Sequence, residues 1–152
     1  MSYQNQEVGS AADVNMEDET KNAPTYFGYM AMIMQTYRKI APDSKIFLIT
    51  IPNEPTKPRF VECAKAQREV LYALSKMFPN TYVIDLYEYA PPFEQDFYDN
   101  FFLHGHMTPT GYALFAKMIT AYVDFIIRSN PKDFKLTGLI NLNVPMQENQ
   151  LD

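Results

Sequence analysis

The stretch Lys45-Ile46-Phe47-Leu48-Ile49-Thr50-Ile51 is almost continuously apolar and rich in β-branched residues. Bounded by Pro42-Asp43-Ser44 before it and by Pro52, Pro55 and Pro58 after it, such a run predicts a strand covered on both faces. A second run, Thr81-Tyr82-Val83-Ile84-Asp85-Leu86-Tyr87, has the same character and predicts a second buried strand. Three helices surround them. Residues 23–41 place Tyr26, Met30, Ile33, Met34, Tyr37 and Ile40 at helical spacing. Residues 58–78 align Phe60, Cys63, Val70, Leu71, Leu74, Met77 and Phe78 on one stripe. Residues 109–129 bury Phe115, Met118, Ile119, Tyr122 and Ile126 and stop before Asn130-Pro131. Helix–strand–helix–strand–helix is the alternation that builds a parallel sheet with right-handed crossovers. The expected fold is therefore α/β, a partial three-layer parallel sheet. Two buried strands are few for such a sheet, and unpaired edges invite association.

Three segments lie outside this frame. Residues 1–22 carry few large apolar groups and end in Glu17-Asp18-Glu19-Thr20-Lys21, so they read as a flexible polar leader. Residues 88–107 read as a long aromatic loop containing Pro91-Pro92. Residues 131–152 form a weakly patterned tail, with a short extra strand at residues 139–144. The domain expected between leader and tail spans residues 23–130.

Composition narrows the function. A formal net charge of -5 speaks against nucleic acid, which needs a clustered basic surface. No apolar run appears long enough to span a bilayer, and the polar N-terminus lacks the apolar centre of a secretory signal. The single cysteine, Cys63, allows no internal disulfide and no cysteine-based metal site. On the apolar stripe of its helix it reads as core, not as a nucleophile. Ser44 precedes a strand and is a turn residue, and Ser10 lies in the polar leader.

Chemistry at neutral pH concentrates on Phe102-Leu103-His104-Gly105-His106-Met107-Thr108-Pro109-Thr110-Gly111-Tyr112, which holds both histidines of the chain. Thr108 suits a helix cap and Pro109 the first helical position. A histidine in the loop ahead of that cap is aimed by the fold without being buried. The couple His104-Gly105-His106 also has the look of a metal-ligand pair, completed by Asp96 or Asp99. With no further histidine or usable cysteine set, no metal is expected there. Tyr87, Tyr89, Phe93, Phe97, Tyr98, Phe101 and Phe102 either line a substrate pocket beside His106 or pack the loop onto the sheet.

His106 with Gly111 five residues on, followed by Tyr112 and Ala113, resembles the last sequence block of the SGNH (GDSL-type) hydrolases. This family comprises esterases, lipases and carbohydrate deacetylases. The resemblance covers residues 23–130, where the elements come in the family's order, and implies a flavodoxin-like fold lacking its N-terminal strands. It implies that His106 is the catalytic base towards a serine and later the acid towards the leaving alcohol. The implied substrate is a small oxygen ester, such as an acylated carbohydrate, and no cofactor is implied. Two departures stand out. Where the family carries an aspartate three residues before the histidine, this chain has Leu103, leaving Asp99, Asp96 or a backbone carbonyl to orient the ring. The Gly-Asp-Ser block and the oxyanion-hole blocks are not in the sequence, so a missing N-terminal half or an oligomer partner is implied. The chain alone is expected to be inactive. The alternative function is a non-catalytic α/β module that binds a protein partner through its exposed strand edges.

Overall fold

The computed structural model describes residues 7–134. Helix α1 (Tyr26–Ile40) leads into strand β1 (Ile46–Ile49), helix α2 (Pro58–Met77) and strand β2 (Thr81–Ile84). The short helices α3 (Leu86–Tyr89) and α4 (Gln95–Phe101) follow. A small hairpin of β3 (Phe102–Leu103) and β4 (His106–Met107) then enters the long helix α5 (Pro109–Ser129). The protein is a mixed α/β structure with two small sheets.

Strands β1 and β2 pair in parallel, with Phe47 opposite Tyr82, Leu48 opposite Val83 and Ile49 opposite Ile84. Alternation along the strands sends successive side chains to opposite faces. Leu48 joins Tyr26, Phe27, Ala31 and Met34 of α1 and Val70, Leu71 and Leu74 of α2 in one core. Phe47, Tyr82 and Ile84 join Phe115, Tyr122 and Ile126 of α5 in the other. Two helices thus cover one face and one helix the other. The strands are shorter than expected. The second run stops at Ile84, because the buried Asp85 accepts the Glu88 amide and caps α3.

The leader is not loose over its described part. Residues 7–22 contain two 3-10 turns, at Ala11–Asp13 and Glu19–Lys21, capped by Ser10 and Asp18. The Glu7 and Val8 carbonyls accept the Tyr26 and Phe27 amides, both at 2.9 Å, satisfying donors that the first turn of α1 leaves free. Asn22 donates to Gln35 at 2.8 Å, and Gln35 donates to the Asn15 carbonyl at 2.7 Å. No polar-to-apolar boundary in the sequence reports these bonds.

The aromatic loop also has regular structure, in α4 and the hairpin. Its rings pack against one another and against α5. Phe93 stacks on Phe97 at 4.7 Å and meets the edge of Phe115 at 5.5 Å, while Tyr98 lies 4.6 Å from Phe102. Ring burial holds a short helix that local propensity does not single out.

Helix α5, at 21 residues, is long and apolar enough to cross a membrane by length and composition alone. The pattern hid this because Lys117, Asp124 and Arg128 interrupt the apolar residues. All three charges lie on its exposed side, where Arg128 donates to Asp124 at 2.8 Å. The strand expected at residues 139–144 lies outside the described residues.

Candidate functional site

Both histidines occupy the β3–β4 hairpin. Leu103 pairs with His106, and the two residues between them, His104 and Gly105, have φ of 50° and 81°. Positive φ at both central positions is the two-residue hairpin turn whose twist matches the strands. Gly105 adopts it without penalty, whereas His104 is held there by the hairpin. His104 is therefore a turn residue.

Below the hairpin, Thr108 caps α5 by accepting the Gly111 amide at 3.2 Å, and its own amide donates to Phe101 at 2.8 Å. A side chain on Gly111 would come within 2.9 Å of the Phe101 carbonyl oxygen. The glycine five residues after His106 thus has a local cause: the first turn of α5 lies directly on the end of α4.

His106 is exposed, as is His104. Neither imidazole makes a hydrogen bond or ion pair among the described residues. Asp99 instead accepts from Gln95 at 2.8 Å, and Asp96 is bound through its carbonyl to Asn100 at 2.6 Å. Leu103, in the place of the family's acid, is 64 % exposed. Among the described residues, no carboxylate orients the ring. Among the described residues, no three histidine, cysteine, aspartate or glutamate side chains converge as a metal site. Ser44 donates to the Ala41 carbonyl at 2.8 Å and Ser10 caps a 3-10 turn, so both are structural. Cys63 is half-buried and free.

The polar centre that sequence reasoning missed lies at the carboxyl ends of β1 and β2, where open α/β sheets bind ligands. Asp85 is 0 % exposed and sits at its middle. It accepts from Arg68 Nε at 2.7 Å, from the Tyr72 hydroxyl at 2.9 Å and from Thr50 Oγ1 at 3.2 Å. Thr50 Oγ1 in turn accepts the Tyr87 amide at 2.8 Å. The Arg68 guanidinium lies over the Tyr72 and Tyr87 rings, 5.3 and 5.9 Å from their centroids. Both oxygens of the carboxylate are used, so the network ties β2 to α2. The signal available in sequence was one acidic residue ending an apolar run.

A second cluster stands beyond β1. The buried Glu54 pairs with Lys57 and accepts from the Tyr98 hydroxyl, while Lys57 donates to that hydroxyl at 3.3 Å. Burial, then the bond to Glu54, holds the Tyr98 phenol above its ordinary value.

The imidazole and the Asp85 network are far apart. The Tyr122 phenol borders Asp85, and its ring lies 6.0 Å from Tyr89. At 1.5 Å per residue, the cap at Thr108 stands about 21 Å further along the α5 axis. Helix α5 runs antiparallel to the strands, since its far end reaches Tyr82, whose hydroxyl donates to Asp133 at 2.7 Å. The hairpin is thus on the carboxyl side of the sheet but well beyond the strand ends.

Two tyrosines predict an alkaline limit to stability. Burial, then the carboxylate each donates to, pushes Tyr72 and Tyr82 up to about 12. A phenol raised in the folded state favours the neutral form, so its contribution is intact below about pH 10, the unfolded value, and declines as pH climbs towards 12. Urea midpoints measured from pH 9 to 12 should fall across that window, and the double substitution Tyr72→Phe with Tyr82→Phe should flatten the fall. An unchanged slope in that variant would contradict the assignment.

No protein-family model, curated protein or solved structure matches this chain.

Proposed function

We propose that this chain is a non-catalytic α/β module whose working surface is the open edge of β1, where an extended segment adds as a further strand. The observation that carries this reading is the groove beside that edge. It has a volume of about 280 Å³ and is lined by Met30, Ile33, Met34 and Tyr37 of α1 together with Lys45, Ile46 and Leu48. Ile33 and Tyr37 are each 54 % exposed and Ile40 is 78 % exposed, an apolar stripe with nothing over it among the described residues. Among the described residues no strand pairs with the outer edge of β1, and such an edge beside an apolar stripe offers backbone bonds for affinity and an apolar bed for side chains. Ile33→Asp should leave the far-ultraviolet circular dichroism unchanged and weaken occupancy of the edge, seen as faster exchange of the Phe47 and Ile49 amides. Unaltered exchange in that variant would count against the surface.

A second reading is favoured by the position of His106. A solvent-facing imidazole on the turn ahead of the last helix, on the carboxyl side of a parallel unit, suits the carboxyl half of an SGNH-like ester hydrolase. In that reading His106 takes the proton of a serine supplied by another polypeptide, which also brings the oxyanion donors. The first reading expects neither nitrophenyl ester hydrolysis nor fluorophosphonate labelling from the purified chain, and no difference between wild type and His106→Ala. A Gly-Asp-Ser block encoded directly upstream in the same gene, with labelling of its serine in the joined product, would move the conclusion to the second.

A further inference from the structure

We propose that α5 is a self-association surface, through which two copies of this chain pair with their α5 helices antiparallel, about a twofold axis passing between Thr120 and Ala121. The pairing is independent of the β1 edge and of what that edge binds. Three observations converge on it.

The first is the face left bare. Only Gly111 and Ile126 of α5 are buried among the described residues. Two strands give the helix a narrow bed, and the side turned away from Phe47 and Tyr82 has no described element over it. Tyr112 and Phe125 are 61 % and 64 % exposed, and Ile127 is 37 % exposed. Large apolar side chains standing in water along one helix mark a surface that a partner covers.

The second is the charge on that side. Ala113, Lys117, Thr120 and Asp124 follow one another at steps of four, three and four residues, the spacing of a seam between two helices. Lys117 and Asp124 stand at equal distances either side of the Thr120–Ala121 midpoint. A twofold axis there sets each lysine opposite the partner's aspartate, and does so twice. Lys117 is exposed and makes no ion pair among the described residues. Asp124, its side chain 57 % exposed, bonds to Arg128 of its own helix at 2.8 Å and has room for a second cation. Arg128 falls opposite the partner's Ala113, so no like charges meet.

The third is what the same register does with the flanks. By helical spacing, Tyr112 and Ile127 border the seam on one side, and Leu114 and Phe125 on the other. An antiparallel twofold brings like flank to like flank, which sets Tyr112 beside the partner's Ile127 and Phe125 beside the partner's Leu114. The arrangement that joins the charges therefore also covers the exposed apolar side chains. Ala113 and Thr120 are small enough to let the helices close to about 8 Å. A bilayer suits this face less well, because Lys117 and Asp124 lie near the middle of the helix, where hydrocarbon would strip both of water.

The test is molar mass by light scattering over a concentration series of the whole chain. Three forms are compared: wild type, Lys117→Asp, and Lys117→Asp combined with Asp124→Lys, with circular dichroism confirming that each folds. Wild type should be a dimer that dissociates on dilution. Lys117→Asp sets carboxylate against carboxylate at both ends of the seam and should weaken the dimer about 100-fold. The double exchange restores opposite charges and should return the affinity to within about 3-fold of wild type. A wild-type monomer at every concentration would overturn the proposal, and flotation of that monomer with phosphatidylcholine vesicles would give the bare face to a lipid surface instead. A wild-type dimer indifferent to Lys117→Asp would equally overturn it and move the contact to another face. Weakening by Lys117→Asp without recovery in the double exchange would refute the pairing of Lys117 with Asp124, and the antiparallel register with it.

Discussion

Asp85→Ala should lower the unfolding free energy by about 3 kcal/mol, the cost of removing one partner from a buried, hydrogen-bonded charge pair. The substitution strands Arg68, Tyr72 and Thr50 around an empty acceptor position. It also removes the cap of α3, whose Glu88 amide bonds to the same carboxylate at 3.3 Å. Arg68 retains some access to water, its side chain being 33 % exposed, which keeps the loss at the lower end of the range for such pairs. Asp85→Asn should cost about 2 kcal/mol, since its amide must turn a donor towards Arg68 or Tyr72. Urea unfolding with an unchanged slope would read these losses, and a cycle with Arg68→Ala should return a coupling above about 1 kcal/mol. A loss under about 1 kcal/mol for Asp85→Ala would mean the network is incidental.

Leu74→Ala should be comparably severe, at about 3 kcal/mol. Leu74 is 0 % exposed and sits where α2 meets Phe27 and Met34 of α1, under Leu48 of the sheet. Truncation removes buried methyl groups and leaves a cavity that helices held from both ends cannot close. Leu74→Met, which keeps the volume, should cost less than about 1.5 kcal/mol. Leu103→Ala is the control: it lies 64 % exposed on the hairpin and should change stability by less than about 0.5 kcal/mol. Equal midpoints for Leu74→Ala and Leu103→Ala would show that the α1–α2 core does not hold the sheet.

The candidate site illustrates how far local pattern carries. Thr108 as a cap and Pro109 at the first helical position are local devices, and α5 begins where they place it. The spacing of His106 and Gly111 is equally visible, but its cause lies in tertiary packing, the seat of α5 on the Phe101 carbonyl. Asp85 and Arg68 stand seventeen positions apart, on a strand end and a helix, and nothing in their neighbourhoods announces the pair. The same holds for Glu54 with Tyr98, brought together by the packing of α4 against the loop after β1.

Periodicity alone was enough to place α1, α2, α5 and both central strands, because apolar spacing of 3.6 and near-continuous apolar runs are properties of consecutive residues. Order and alternation likewise sufficed for a parallel α/β unit. Contacts distant in the chain settled the remainder. The leader is held by carbonyls of Glu7 and Val8 lent to α1, α4 is held by the rings of Phe93 and Phe115, and β2 is cut short by a carboxylate that bonds across to α2. Each is a bond whose two partners are remote in sequence, so its energy exists only once the chain has closed on itself.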